Sequence, residues 1–561
     1  MKSLRWQFLI ALLALVLIAI LLFGQPAPPE QVVILSQPVT GGTYTEALIG
    51  QPGRFNPVLD YYNPVDQDVD RLLFSGLIRF DDRGQPQPDL AESWGISRDA
   101  TIYNFALRKD LRWHDGTPIT SADVLFTVSL LRNSDLPIPA DVQAMWHDVQ
   151  VTALDDRTVQ FRLPEPFAPF LDYLTFGIVP EHLLGNLSPA RLLNDDFNLA
   201  PVGSGPYRFD HLVIEDGQIV GIALQAYDDY HLERPFIDRF TFRYYANAAQ
   251  AFQAYRDGEV MGIARIPDTI LPDALHEPSL ALYTARLPRL SMVLFNLQDG
   301  DLPFLQDPVV RRALFAGLNR QWMIDNILNG QAIQAMGPVF PGTWAYYDGL
   351  QPQPYDPQTA INRLKAAGYL LPSDGSSVRV KDDIPLSFTL LYPDDETHRL
   401  VAETIQENWA RLGVQVTLTP VDYPTLIADH LETRDFQAAL VDLDFSGTPD
   451  PDPYPFWHQS EIRHGQNYSG WDDRQASEYL EQARVTVDPA ERARLYQNFQ
   501  VRFDEALPAL PLFYPVYTYG VDSDVLGVRM GPLFHPSDRF LNVNRWYLQV
   551  EQTVAQPTSE P

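Results

Sequence analysis

Residues 90–131 read LAESWGISRDATIYNFALRKDLRWHDGTPITSADVLFTVSLL, and they pass from strand to strand to tight turn to helix in a single run. Asp89-Leu-Ala-Glu-Ser-Trp94 is the first strand-like piece, and Tyr103 to Leu107 alternates apolar and polar residues with the period of two expected of a half-buried strand. His114-Asp-Gly-Thr-Pro118 carries the residues of a tight turn. From Ser121 to Leu131 the spacing of Val124, Leu125 and Val128 is helical, with Thr120 or Ser121 placed to cap the first turn.

The same mixture continues in both directions without a repeat period, which predicts α/β or α+β lobes rather than a solenoid. Thr43 to Ile49 reads as a strand, and Gln67 to Ser75 as a helix with Val69, Leu72 and Leu73 on one face, ended by Gly76. Val159 to Leu163 and Met292 to Phe295 are short strands. Asp307 to Leu328 is read as one amphipathic helix closed by Gly330. Ala360 to Ala367 and Leu400 to Leu412 are further helices stopped by Gly368 and Gly413, and the second leads into an alternating strand, Val414 to Thr419.

At 561 residues the chain exceeds one hydrophobic core and corresponds to roughly three to four domain-sized units. Its 72 acidic against 41 basic residues leave a formal charge of -31, and with no basic run to reverse that field a nucleic-acid partner is excluded. The absence of cysteine removes disulfides, thiol nucleophiles, thiolate metal sites and the lipid-accepting cysteine of bacterial lipoproteins.

Lys2 and Arg5 precede an uncharged apolar run, Phe8 to Phe23, followed by a proline-rich stretch. Proline beside the end of the run disfavours cleavage, and the run approaches the length of about 20 residues that spans a bilayer, so residues 1–24 are expected to form a retained transmembrane signal anchor with its basic end inside. Residues 25–42 then form a stiff spacer, the rest of the chain lies on the outer face of the cytoplasmic membrane, and residues 551–561 form a frayed tail.

The order of these segments resembles the family 5 extracellular solute-binding proteins, the oligopeptide, dipeptide and nickel receptors of ABC importers. Residues 90–131 carry the strongest likeness. VGSGPYRF from Val202, VRRALFAGLNRQWMIDNILNGQA from Val310, YDPQTAINRLKAAGY from Tyr355, NYSGWDD from Asn467 and LPALPLFYPVYTYGV from Leu507 support it. The resemblance implies a two-lobed periplasmic-binding-protein fold of type II with an inserted third subdomain. Lobe I would comprise 43–88, 201–289 and 510–550, the insert 89–200 and lobe II 290–509, with hinges near Leu290 and Leu510. It also implies a monomeric, non-enzymatic receptor without a cofactor. Such a receptor takes a peptide or other small solute between its lobes and delivers it, by closing, to a permease and ATPase complex.

Oligopeptide members place an amine-binding aspartate just before an Asp-Pro-Asp loop. Here that stretch is DLDFSGTPDPDPYPFW, from Asp442 to Trp457, in which Gly447 or Thr448 occupies the aspartate's slot. Two acids are candidates to replace it, Asp444 and Asp450, with Phe445 and Trp457 walling the pocket; turn capping by Asp450 and Asp452 is the alternative. Further candidates implied by the resemblance are Tyr61, Tyr62 and Asn63 in an early loop, Asn296 after its strand, and Trp344 and Tyr346 after a Pro-Gly turn, each weighed against core packing or backbone satisfaction.

No Walker A loop, dinucleotide fingerprint or Gly-x-Ser-x-Gly elbow occurs. His458 and His464 around Glu461 lack zincin spacing. Asp66, Asp68 and Asp70 miss the glycine and distal glutamate of a calcium loop and are read as a helix N-terminus. The rivals are a secreted hydrolase using paired carboxylates and an anchored ligand sensor or docking protein of the same fold uncoupled from transport.

Overall fold

The computed structural model describes residues 34–446 and 449–554, together with Trp6, 12–14 and Val16. Of the expected anchor only Trp6, Leu12 to Ala14 and Val16 belong to these, all helical; the span as a whole lies outside the described residues. Among the described residues no helix is long and apolar enough to cross a membrane.

The chain separates into two units. In the one built from residues 1–39 and 548–561, Ile34–Val39 pairs antiparallel with Gln549–Val554. This strand pair stands where a spacer and the start of a tail are expected, and the valines of both segments, with Ile34 in the first, suit strands better than an extended proline-rich linker.

The other unit, Thr40–Tyr547, is organised by Ala509–Asp522, a strand of 14 residues that is almost wholly buried. It belongs to a 12-stranded mixed sheet. Its first part pairs with Arg289–Phe295 and its last part with Leu280–Arg286, both antiparallel, so one strand serves two halves of the sheet. On one side lie Gly262–Ile263, Thr43–Ile49, Arg239–Tyr245 and the hairpin Tyr207–Glu215 with Gln218–Ala226. On the other lie Ala438–Asp444, Ser387–Pro393 and Gln415–Val421. The halves are joined where Leu287 and Pro288 link two strands, Leu287 N–H donating 3.1 Å to the Pro515 carbonyl.

Both faces of the second half are covered, so its central strands, Arg289–Phe295 and Ala438–Asp444, are buried almost throughout. Val293 and Phe295 face a core closed by Pro308–Ala316, Pro357–Ala366 and Glu396–Ala410. Met292 and Leu294 face the opposite core, filled by Trp457, Trp471, Phe499 and Phe503.

Residues 91–162 form a separate antiparallel sheet in the order Ala91–Ile96, Ile102–Leu107, Thr158–Arg162, Gln150–Asp155. The helix Ser121–Leu131 has the expected cap: Thr120 accepts from the Ala122 N–H and Asp123 accepts from the Thr120 N–H at 2.8 Å. The turn His114–Pro118 is a fastener. The buried His114 ring accepts from Gly203 N–H at 3.2 Å and sits 3.1 Å from the Gly205 carbonyl, while a Cβ on Gly203 would lie 1.9 Å from the Leu73 carbonyl oxygen. The turn Gly203-Ser-Gly205 is therefore a close backbone approach, not a phosphate loop.

The helix expected over Asp307 to Leu328 is two helices, Pro308–Ala316 and Arg320–Asn326. Asn319 breaks the run, because its side chain accepts from Trp322 N–H and starts a second helix. The helix after Asn63 spans Pro64–Leu73, with Asp66 in its first turn. Asp68 is one turn further on and pairs at 2.6 Å with the buried Arg539, which also holds Glu46 at 2.7 Å.

Candidate functional site

Strands Ser387–Pro393, Gln415–Val421 and Ala438–Asp444 are parallel, so their carboxyl ends share one edge. That edge adjoins the Leu287–Pro288 link, since Arg289 pairs with Asp444 in register and Phe445 N–H donates 2.8 Å to the Pro288 carbonyl. Carboxyl ends of parallel strands are where open α/β sheets bind ligands. Asp444 is exposed there and forms an ion pair with Arg289 at 2.8 Å. Partial burial works against its charge, but Ser446 and Arg289 outweigh that and hold the carboxyl below its ordinary value. Beside it Asp442 accepts from Ser291 and lies 3.5 Å from His398, whose other nitrogen meets Asp395 at 2.6 Å. Burial opposes a charged ring in His398, yet Asp442 and Asp395 raise its pKa.

Asp450 is in a different situation. Its carboxylate is buried, paired with Arg492 and bonded by the Tyr496 hydroxyl at 3.0 Å, and it also accepts from Asp452 N–H at 3.1 Å. Asp452 in turn is held by Arg484 at 2.8 Å. The loop thus has the turn-capping character weighed for it, reinforced by two ion pairs. Its backbone reaches across to the insert: Asp450 N–H donates 2.5 Å to Asp172 in the 3₁₀ turn Ala168–Leu174. Burial and the neighbouring Asp450 push the Asp172 carboxyl well above its ordinary value. Pro449 meets the opposite lobe at Gly84, where a Cβ would lie 3.1 Å from Pro449 and 3.0 Å from the Phe534 ring. Gly447 and Thr448, the expected aspartate slot, lie outside the described residues.

The other candidate residues divide. Tyr62 is 72 % exposed. Tyr61 is half-buried, and burial with Asp60 and Asp141 nearby raises its hydroxyl pKa. Asn63 caps its helix, accepting from Val65 N–H and donating to Asp66 at 2.8 Å. Asn296 lies at the end of its strand farthest from the link and donates 3.1 Å to the carbonyls of Arg434 and Phe436. Trp344 stacks over the Arg492 guanidinium at 5.1 Å, Tyr346 is half-buried on the same core, and Trp457 is 1 % exposed against Phe503. Asn63, Asn296 and Trp457 therefore have structural partners in this structure, whereas Asp444 and Tyr62 are exposed and Phe445 lines a cavity.

Phe445 also lines a small cavity at the link, with Arg286, Phe340, Pro449 and Phe534. A second cavity of about 170 Å³ shares Pro449 and Phe534 and extends to Arg71, His535 and Asp538. Together they trace a cleft between the two halves of the sheet. Arg286, Phe340 and Phe534 were not among the residues singled out in the sequence; the only signal is a pair of arginines flanking Leu287-Pro288. Among the described residues no group of histidine and carboxylate side chains is arranged to hold a metal ion, and His458 is bonded to Glu481 at 2.9 Å and stacked on Tyr454.

The chain passes twice between the halves of one sheet, beside a cleft at its strand ends, the arrangement of a two-lobed binding protein. The model of the bacterial extracellular solute-binding proteins, family 5, matches residues 85–464. The chain belongs to that family. It is 26 % identical over 520 residues to the oligopeptide-binding protein AppA of Bacillus subtilis, covering 91 % of this chain and 92 % of the relative. The structure of AppA in complex with a nonapeptide superimposes with a TM-score of 0.65 at 25 % identity, over 91 % of this chain and 100 % of that one. The probable deoxycholate-binding periplasmic protein YgiS of Escherichia coli is 28 % identical over 488 residues, covering 82 % of this chain and 86 % of the relative.

Proposed function

We propose that this chain is the extracytoplasmic receptor of an ABC importer, holding an oligopeptide or similarly extended solute between its lobes and presenting it to a permease and ATPase complex. The observation that carries this is the double passage of the chain at Leu287–Pro288 and Tyr514–Val516, beside the carboxyl ends of the parallel strands. Two closely spaced passages allow one half to rotate on the other with few dihedral changes, and a solute that contacts both halves favours the closed form by its extra contacts there. Lobe I is assigned 43–88, 201–289 and 510–550, the insert 89–200 and lobe II 290–509.

A peptide amine needs an acid that is not already neutralised in the interior. The exposed Asp444 meets that condition better than the buried Asp450, so Asp444, with Phe445 and the tyrosines Tyr61 and Tyr62, is assigned to the solute. The apolar run at the N-terminus is assigned to the membrane, keeping a monomeric receptor at the outer face in place of a lipid anchor. The reading excludes catalysis.

The direct experiment is mass spectrometry of solute released from the purified full chain, followed by calorimetric return of that solute. Stoichiometric binding without turnover supports the reading. Hydrolysis of the released solute or of a peptide series contradicts it.

A further inference from the structure

Arg286 ends the strand Leu280–Arg286, immediately before the link between the lobes. Three arginines near the same cleft have an acid: Arg71 meets Asp538 at 3.0 Å, Arg289 meets Asp444 at 2.8 Å, and Arg484 meets Asp452 at 2.8 Å. Arg286 has none among the described residues, and its Nη1 is buried without a hydrogen-bond partner. This occurs in a chain with 72 acidic side chains, so an acid is not lacking for want of supply.

The cavity onto which Arg286 opens is walled by Leu287, Phe340, Phe445, Pro449 and Phe534. Its other polar side chain, Thr343, already donates to the Phe340 carbonyl at 2.7 Å. The guanidinium lies on bare backbone: a Cβ on Gly342 would come within 2.6 Å of Nη2, and Gly342 has φ +85°. Desolvation lowers the pKa of Arg286, the mark of a cation whose surroundings do not compensate its charge. A guanidinium nitrogen buried without an acceptor carries a desolvation cost, and nothing among the described residues accepts from Nη1.

We propose that Arg286 receives the anionic head group, a carboxylate or a phosphate, of a small solute whose apolar body lies against Phe340, Phe445 and Phe534. The guanidinium fork grips either head group with paired N–H donors, and the apolar walls strengthen that pair while rejecting fully hydrated anions. The free space in this conformation is about 20 Å³, room for a water-sized group, so the head group enters as the lobes part and is gripped as they close. The assignment rests on the reading of this cleft as the solute site, and it moves the expected solute from a zwitterionic peptide toward an amphipathic anion.

The test is calorimetric titration of the full chain, wild type, Arg286→Gln and Asp444→Asn, with 3-phenylpropionate, phenyl phosphate, 3-phenylpropanol and the zwitterionic tripeptide Ala-Ala-Ala, alongside melting curves without ligand. Either anion should bind the wild type and at least tenfold more weakly to Arg286→Gln, with the alcohol equally weak in both. The stronger of the two anions identifies the head group. Arg286→Gln should melt no lower than the wild type, since it removes an uncompensated cation; a lower melting point would make Arg286 structural and overturn the proposal. Failure of both anions to bind the wild type, or equal binding to Arg286→Gln, also overturns it. Binding of the tripeptide alone, lost in Asp444→Asn and kept in Arg286→Gln, would overturn it while leaving the receptor reading intact.

Discussion

The segment Leu90–Leu131 and the loop Asp442–Trp457 are held by opposite means. The first is fastened by bonds onto backbone: His114 on Gly203 and Gly205, Thr120 and Asp123 on their own helix end, and Asp115 on the Thr117 N–H at 2.8 Å. The second is fastened by charge, with Asp450 and Asp452 on Arg492 and Arg484, and with the Asp172 carboxyl drawn in from the insert. These bonds onto backbone N–H and carbonyl groups set the mount without involving any residue that lines the cleft cavities. A charged loop that touches the insert and, through Pro449, the other lobe is where closure and ligand charge can be felt.

The largest expected effect lies in the charged region. Arg492→Met leaves Asp450 buried without its cation, and breaking such a pair costs about 3–5 kcal/mol; the urea midpoint should fall accordingly, and a change under about 1 kcal/mol would mean the loop is held by something else.

The mount is expected to fail by protonation. Burial lowers the His114 pKa from its ordinary 6.5 to about 4. The unfolded chain therefore takes the proton first as pH falls. Stability from this group is complete above pH 6.5 and is lost as pH falls toward 4, by up to about 3 kcal/mol. Stability measured across that window should show the loss, and His114→Gln should flatten it; an unchanged slope would place the titration elsewhere.

Gly84 packs the charged loop against the cleft wall at Phe534. Gly84→Ala forces a side chain into φ +74° against Pro449 and Phe534, a cost of about 1–2 kcal/mol. Solute affinity should fall several-fold through a less favourable closed form, and unchanged affinity would show that the Pro449 contact is not made on closing. The smallest effect on stability is expected at Asp444→Asn, under about 1 kcal/mol because the pair with Arg289 is solvent-exposed. A loss of solute affinity without loss of stability there would separate a binding acid from a structural one.

The mount was largely readable from sequence because its devices are local. A Thr120 cap, a tight turn and a strand of period two each announce themselves within a few residues, and the family likeness rests on them. The split at Asn319 is hidden because Val310, Leu314, Leu318, Ile324 and Leu328 keep an apolar face across the break, which only Gly317 after the first helix and the Asn319 cap on Trp322 N–H mark. The cleft was less readable for a physical reason. Whether Asp450 is free or neutralised depends on Arg492, far along the chain, and whether Arg286 is paired depends on what does not fold onto it. Asn296 and Trp457 have the residue types of a binding pocket and the surroundings of a core, which composition cannot distinguish.

Closure of two lobes over a solute is the central claim, and the chain's lack of cysteine makes it accessible to distance measurement. Single cysteines at the exposed positions Gln218→Cys and Ser373→Cys, one on each side of the cleft, can carry a donor and acceptor dye. Returning the co-purified solute should raise energy transfer in a saturable way, matching the calorimetric midpoint. Transfer that stays constant while the solute binds would contradict a closing receptor.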